Sequence, residues 1–149
     1  MDEASKHVIE FLTAMNTILW GPALYRDNGL WGKVVRRGLR PYLRPGSRLS
    51  IYGLKAPALA FGVYAEIGPN KWLEFEIEVR AHADSWEIDA SVRVDDHENR
   101  YGGQRFLRDF PTRYADTMEE CIVQLRAAVD DLAACDDVLD ELPETRSQK

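Results

Sequence analysis

Apolar residues recur near the start of the chain at helical spacing. Val8, Phe11, Leu12, Met15, Ile18 and Leu19 form one stripe of a 3.6-residue period. The pattern predicts an N-terminal helix that runs to Trp20 and is stopped by Gly21-Pro22. A shorter helix is expected from about Leu30 to Leu39. It cannot continue through Pro41 and Pro45, because proline lacks an N–H and disfavours helix at the residue before it.

From Arg48 the period falls to two. "RLSIYG" alternates Leu49 and Ile51 with Ser50 and Tyr52. In "ALAFGVYAEI", Leu59, Phe61, Val63, Ala65 and Ile67 share one side and Tyr64 and Glu66 the other. After the turn "GPNK", Leu73, Phe75, Ile77 and Val79 alternate with Glu74, Glu76, Glu78 and Arg80. Trp86, Ile88, Ala90, Val92 and Val94 then alternate with Glu87, Asp89, Ser91 and Arg93. Such alternation marks antiparallel strands with one face on a core and one in water. Charge suggests the register of the last hairpin. Pairing Glu74 with Arg93 and Arg80 with Glu87 opposes unlike charges, at the cost of placing Glu78 opposite Asp89.

"DDHENRYGGQ" reads as a polar loop, and "RFLRDF" as a fifth, edge strand ended by Pro111. Thr117 with Glu120 fits a capping box at the start of a long C-terminal helix. Its expected stripe is Met118, Ile122, Leu125, Val129 and Leu132, continued by Leu139 until Pro143. Helices therefore come before and after a run of strands. The expected fold is α+β: a four- to five-stranded antiparallel meander sheet with the N-terminal and long C-terminal helices packed on one face. One domain over 1–149, with a polar tail from about 143, accounts for the whole chain.

Composition agrees with a soluble globular domain, at 45% hydrophobic and 30% charged residues. No apolar run approaches the ~20 residues that cross a bilayer. The opening "MDEASKHVIEF" lacks the basic-then-apolar order of a secretory signal, so a cytoplasmic location and no membrane partner are expected. Cys121 and Cys135 fall in one predicted helix, roughly 21 Å apart at ~1.5 Å per residue. That distance forbids a bridge, and both read as small core residues.

Charge changes the picture more. The net charge is −6, which disfavours nucleic acid as the partner of the whole molecule. Residues 26–55 nevertheless hold Arg26, Lys33, Arg36, Arg37, Arg40, Arg44, Arg48 and Lys55 against Asp27 alone. Residues 116–144 hold ten acids against Arg126. The four-residue spacing of Arg36, Arg40, Arg44 and Arg48 looks like a helical stripe, but Pro41 and Pro45 break the rod, leaving Arg44 and Arg48 to flank the turn "RPGS". Trp20, Tyr25, Trp31, Tyr42 and Tyr52 interleave with these cations. Aromatics beside arginines suit a protein interface or single-stranded nucleic acid. They equally suit a segment anchored to the core whose arginines pair with the acidic C-terminal helix.

No catalytic constellation stands out. His82 and Asp84 could ligate a metal with Asp95, Asp96, His97 and Glu98, but the two groups lie at opposite ends of the strand 86–94, about 27 Å apart at ~3.3 Å per residue. No serine sits in a Gly-x-Ser-x-Gly elbow. The alternating acids Glu74, Glu76, Glu78, Glu87 and Asp89 are expected on a wet face, where carboxylates have little reason to shift. No catalytic residue, metal or cofactor is assigned, and the reading leans away from an enzyme.

The expected function is a non-enzymatic acidic module that binds a protein. By fold-level analogy it resembles bacterial toxin-neutralising immunity proteins and secretion chaperones, an analogy that carries no residues over. Its partner surfaces would be Arg36, Arg37, Arg40, Arg44 and Arg48 on one side and Glu74, Glu76, Glu78, Glu87 and Asp89 on the other. A basic toxin or effector is the leading partner, and homodimerisation through a sheet edge stays open. The alternatives are a small-ligand or enzymatic pocket between sheet and helices near Trp72 or Trp86, and nucleic-acid binding through residues 33–48.

Overall fold

The computed structural model describes residues 2–19, 23–42, 46–48, 58–97 and 103–142, with backbone alone at 19 and 46–48. Three eleven-residue strands form the body of one antiparallel sheet: β3 (Ala58–Gly68), β4 (Lys71–Ala81) and β5 (Trp86–Asp96). Each flank is built from two short pieces. β1 (Pro41–Tyr42) and β2 (Gly46–Arg48) pair with different halves of β3, while β6 (Gln104–Asp109) and β7 (Arg113–Ala115) divide β5 between them. The sheet is thus a meander five strands wide with both edges broken.

The fold is α+β, as the order of elements required. The β4–β5 register is the one chosen by charge, with Glu74 opposite Arg93, Arg80 opposite Glu87 and Glu78 opposite Asp89. Two details differ from expectation. Gly46 and Ser47, read as part of a turn, are in β2, and neither β1 nor β7 was foreseen. Strands of three residues are too short to reveal a period. The strand expected over "RLSIYG" lies outside the described residues from Leu49 onward.

Alternation decides which side meets the helices. Phe61, Val63, Leu73, Phe75, Ile77, Ile88 and Val92 are buried on one face. Against them pack Met15 and Ile18 of α1 (Glu3–Leu19) and Leu30 and Val34 of α2 (Leu30–Arg36). α3 (Met118–Ala133) adds Cys121, Leu125, Ala128, Val129 and Leu132. Thr117 caps α3 by accepting from the Glu120 N–H at 3.1 Å, and Glu120 accepts from the Asp116 N–H at 3.0 Å. The predicted stripe is rotated slightly, since Cys121 is buried where Ile122 was expected. The helix also does not continue to Pro143 in one piece. A 3₁₀ turn (Ala134–Asp137) follows α3, then a short α4 (Val138–Glu141).

The α1 stripe is only half used. Phe11, Met15 and Ile18 face inward, whereas Val8 and Leu12 remain 56% and 59% exposed. Gly62 lies between the parts of β3 paired by β1 and β2, and its carbonyl accepts from the Tyr25 hydroxyl at 2.7 Å. A methyl here would overlap the Phe75 carbonyl, so glycine permits the β3–β4 approach. Among the described residues, no helix is long and apolar enough to cross a membrane.

Candidate functional site

Helix α2 and the acid-rich C-terminal stretch meet. Lys33 Nζ lies 3.4 Å from Asp136 Oδ2, and Arg37 pairs with Asp140 one helical turn on. From the opposite side, Arg108 donates to Asp137 at 3.1 Å and to Glu141 at 2.7 Å. Arg113 donates to Asp131 at 2.8 Å and to Gln124 at 2.9 Å. Acids 136 and 140 therefore face α2 while 137 and 141 face β6, as two neighbouring stripes of a helical segment must. These pairs are substantially exposed and stabilise little individually. Their main effect is to cancel the two charge poles against each other.

The rest of the arginine ladder is dispersed. Arg36 donates to the Asp27 carbonyl at 2.9 Å, and Arg40 is exposed. Arg48 pairs through its backbone with Ala58, its side chain lying outside the described residues together with all of Arg44. Tyr25 and Trp31 meet edge to face at 6.1 Å and pack on the core, the anchoring role allowed for these aromatics.

The second face of the sheet corrects the expectation of a wet row of acids. Glu74 and Glu76 are only 3% and 5% exposed. Arg93, opposite Glu74, donates from Nε to Glu74 at 2.6 Å and from its terminal nitrogen to Glu76 at 3.1 Å. The Tyr64 hydroxyl donates to Glu76 at 2.7 Å. Burial pushes the Tyr64 phenol far above its ordinary pKa, and the neighbouring carboxylates push it further. Burial works against the Arg93 charge, but Glu76 and Glu74 outweigh it and leave its pKa raised. Glu78 pairs with Arg80, whose Nε is 3.5 Å from Glu87, and Asp89 accepts from Thr112 at 2.5 Å. Alternation showed which way these side chains point, not what covers them. Their polar atoms are engaged within the fold, with Glu78, Glu87 and Asp89 left half-buried.

A different feature is open to ligands. Between α1 and the start of α3, above Trp86, lies a cleft of about 760 Å³. Its geometry follows from three placements. Trp86 begins β5 opposite Ala115 at the end of β7, and the chain then turns through Asp116 and the Thr117 cap into α3. Phe11 of α1 stacks on the indole at 5.6 Å between ring centres and 21° between planes, holding the helix across the strand end. On the N-terminal side of Phe11, Ala4, His7 and Glu10 form one wall. Asp116, Thr117, Met118 and Glu119 form the other. Glu10, Asp116 and Glu119 make no ion pair among the described residues. His7 Nε2 is 3.6 Å from Glu3.

The remaining chemical candidates stay apart. His82 borders Glu87 at 3.8 Å, and His97 borders Asp95 at 3.5 Å at the other end of β5. Among the described residues no group of three or more His, Cys, Asp or Glu could hold a metal ion. Both cysteines are buried and unbridged, and burial pushes each thiol up to about 11. The sequence offered a pocket near Trp72 or Trp86 as an alternative, and the structure has a cleft at Trp86, but Glu10, Asp116 and Glu119 were not singled out as its lining. They lie on α1 and at the head of α3, more than a hundred residues apart in sequence, and spacing along the chain does not reveal that these elements meet. No family model, curated protein or solved structure matches the chain, so the functional reading rests on this geometry.

Proposed function

We propose that the chain is a non-enzymatic binding domain that docks a basic segment of a partner protein in the cleft between α1 and α3. On this reading it acts by occupying a partner's surface, as bacterial immunity proteins and secretion escorts do. The observation that carries it is the cleft itself, with an aromatic floor at Trp86 and a rim of Glu10, Asp116 and Glu119. Elsewhere the charges offset one another, through Lys33–Asp136, Arg37–Asp140 and the carboxylates gripped by Arg108. The acids at the head of α3 are left to set the local field, which steers and selects a cationic partner. Two buried, unbridged thiols fit a reducing, cytoplasmic compartment.

The basic segment supports an acidic or nucleic-acid partner less well, because Lys33 and Arg37 already face carboxylates. Glu74 and Glu76 serve this function by holding the sheet rather than by contact. A small cationic ligand is the second reading, since the cleft volume lies within the roughly 300–1,000 Å³ usual for ligand pockets.

Calorimetric titration with a lysine- and arginine-rich decapeptide tests the proposal. Binding that weakens with salt is expected, together with about a tenfold loss in the triple variant Glu10→Gln, Asp116→Asn, Glu119→Gln. Equal binding by that variant, or no binding at low salt, would overturn it.

A further inference from the structure

We infer that the group seated in the cleft is an arginine side chain borne by the partner protein, its guanidinium lying against Trp86. This inference rests on the docking reading above and adds the chemistry of the anchor.

Two features select a guanidinium. Phe11 stacks on the Trp86 indole, and the ring so supported is part of the cleft lining. A planar, weakly hydrated cation gains most from such a surface, and arginine stacks there better than the compact, strongly hydrated ammonium of lysine. The acceptors are also divided. Glu10 approaches from α1, and Asp116 and Glu119 from the other wall. A guanidinium offers five N–H donors in a planar fork to carboxylates of either wall together with a flat face for the ring, whereas an ammonium is a compact point charge.

The same features argue against an anion. The head of α3 would favour negative charge on dipole grounds. Glu119 and Glu120 already occupy its first turn, and the Thr117 side chain takes the Glu120 N–H. The space of about 760 Å³ is larger than one side chain needs, so backbone and neighbouring residues enter with the arginine. That favours a protein-borne arginine over a free guanidinium compound.

The experiment follows the Trp86 indole N–H by nuclear magnetic resonance, its signal assigned by Trp86→Phe. Four probes are compared: an arginine-bearing basic peptide, its all-lysine counterpart, an acidic peptide, and N-acetyl-arginine methylamide. The arginine peptide is expected to shift the Trp86 signal and to bind about tenfold tighter than the lysine peptide. Glu10→Gln, on the exposed α1 wall, is expected to weaken it severalfold while leaving the rest of the spectrum in place. Equal affinity for the two basic peptides with the indole unmoved would overturn the arginine anchor while leaving the docking proposal standing. Failure of both basic peptides would remove both. Binding of the arginine amide as tight as that of the peptide would overturn the protein-borne ligand in favour of a small molecule, and tighter binding of the acidic peptide would reverse the sign of the site.

Discussion

Arg93 holds two carboxylates at once inside the sheet face, and its removal leaves Glu74 and Glu76 buried beside a missing cation. Breaking a buried pair from one side is far costlier than replacing the pair whole. Arg93→Ala is therefore expected to cost roughly 3 kcal/mol in chemical denaturation. Arg105→Ala, at an exposed site, is expected to stay within about 0.5 kcal/mol. Equal effects would contradict the network. The tyrosines give a pH signature. Burial raises the Tyr25 phenol to about 12, and Tyr64 lies higher still, above an ordinary value of about 10. The folded chain then holds protons that the unfolded chain releases. This stabilisation is complete below about pH 10 and is lost as pH climbs through about 12. Phenolate absorbance is expected to show Tyr25 and Tyr64 ionising only as the protein unfolds. Ionisation of both near pH 10 with the fold intact would contradict their burial. None of this was legible from alternation, which gives a side chain's direction but not its cover.

The elements themselves were legible because each carries its own period. β3, β4 and β5 are eleven residues each, long enough for their alternation to be seen, and unlike charges selected the β4–β5 register. β1, β2 and β7 hold two or three residues and carry no period, so the broken edges were hidden. α1 shows the opposite limit: its stripe marked a helix, yet Val8 and Leu12 of that stripe face water. The start of α3 was readable because Thr117 and Glu120 have the spacing that capping needs. Thr117→Ala is expected to cost about 1 kcal/mol, read as a lower denaturation midpoint, and to loosen the Asp116–Glu119 wall of the cleft. An unchanged midpoint would mean the cap contributes nothing. The change of winding after Ala133 had no such marker, because apolar residues continue at helical spacing through Leu139.

For the molecule as a whole, the sequence displayed two opposed poles, and folding brings them together. Lys33 and Arg37 on one side and Arg108 on the other grip alternate carboxylates of the C-terminal stretch. A charge count along the chain cannot foresee that, since it depends on which elements become neighbours. Nor could it foresee that Asp116 and Glu119, at the head of α3, would make no ion pair among the described residues. Exposed aromatics mark a second surface, with Phe106 opposite Arg93 and Tyr114 opposite Glu87 at 53% and 64% exposure.

The claim that a partner's basic segment occupies the α1–α3 cleft is tested most directly by light-activated cross-linking in the native cell. The cross-linking residue would replace Glu10 in one variant and exposed Val123 in another, and the linked peptides would be identified by mass spectrometry. The expected result is one protein joined at position 10 through an arginine-containing basic peptide and absent at position 123. The same partners at both positions, or an acidic linked peptide, would contradict the account.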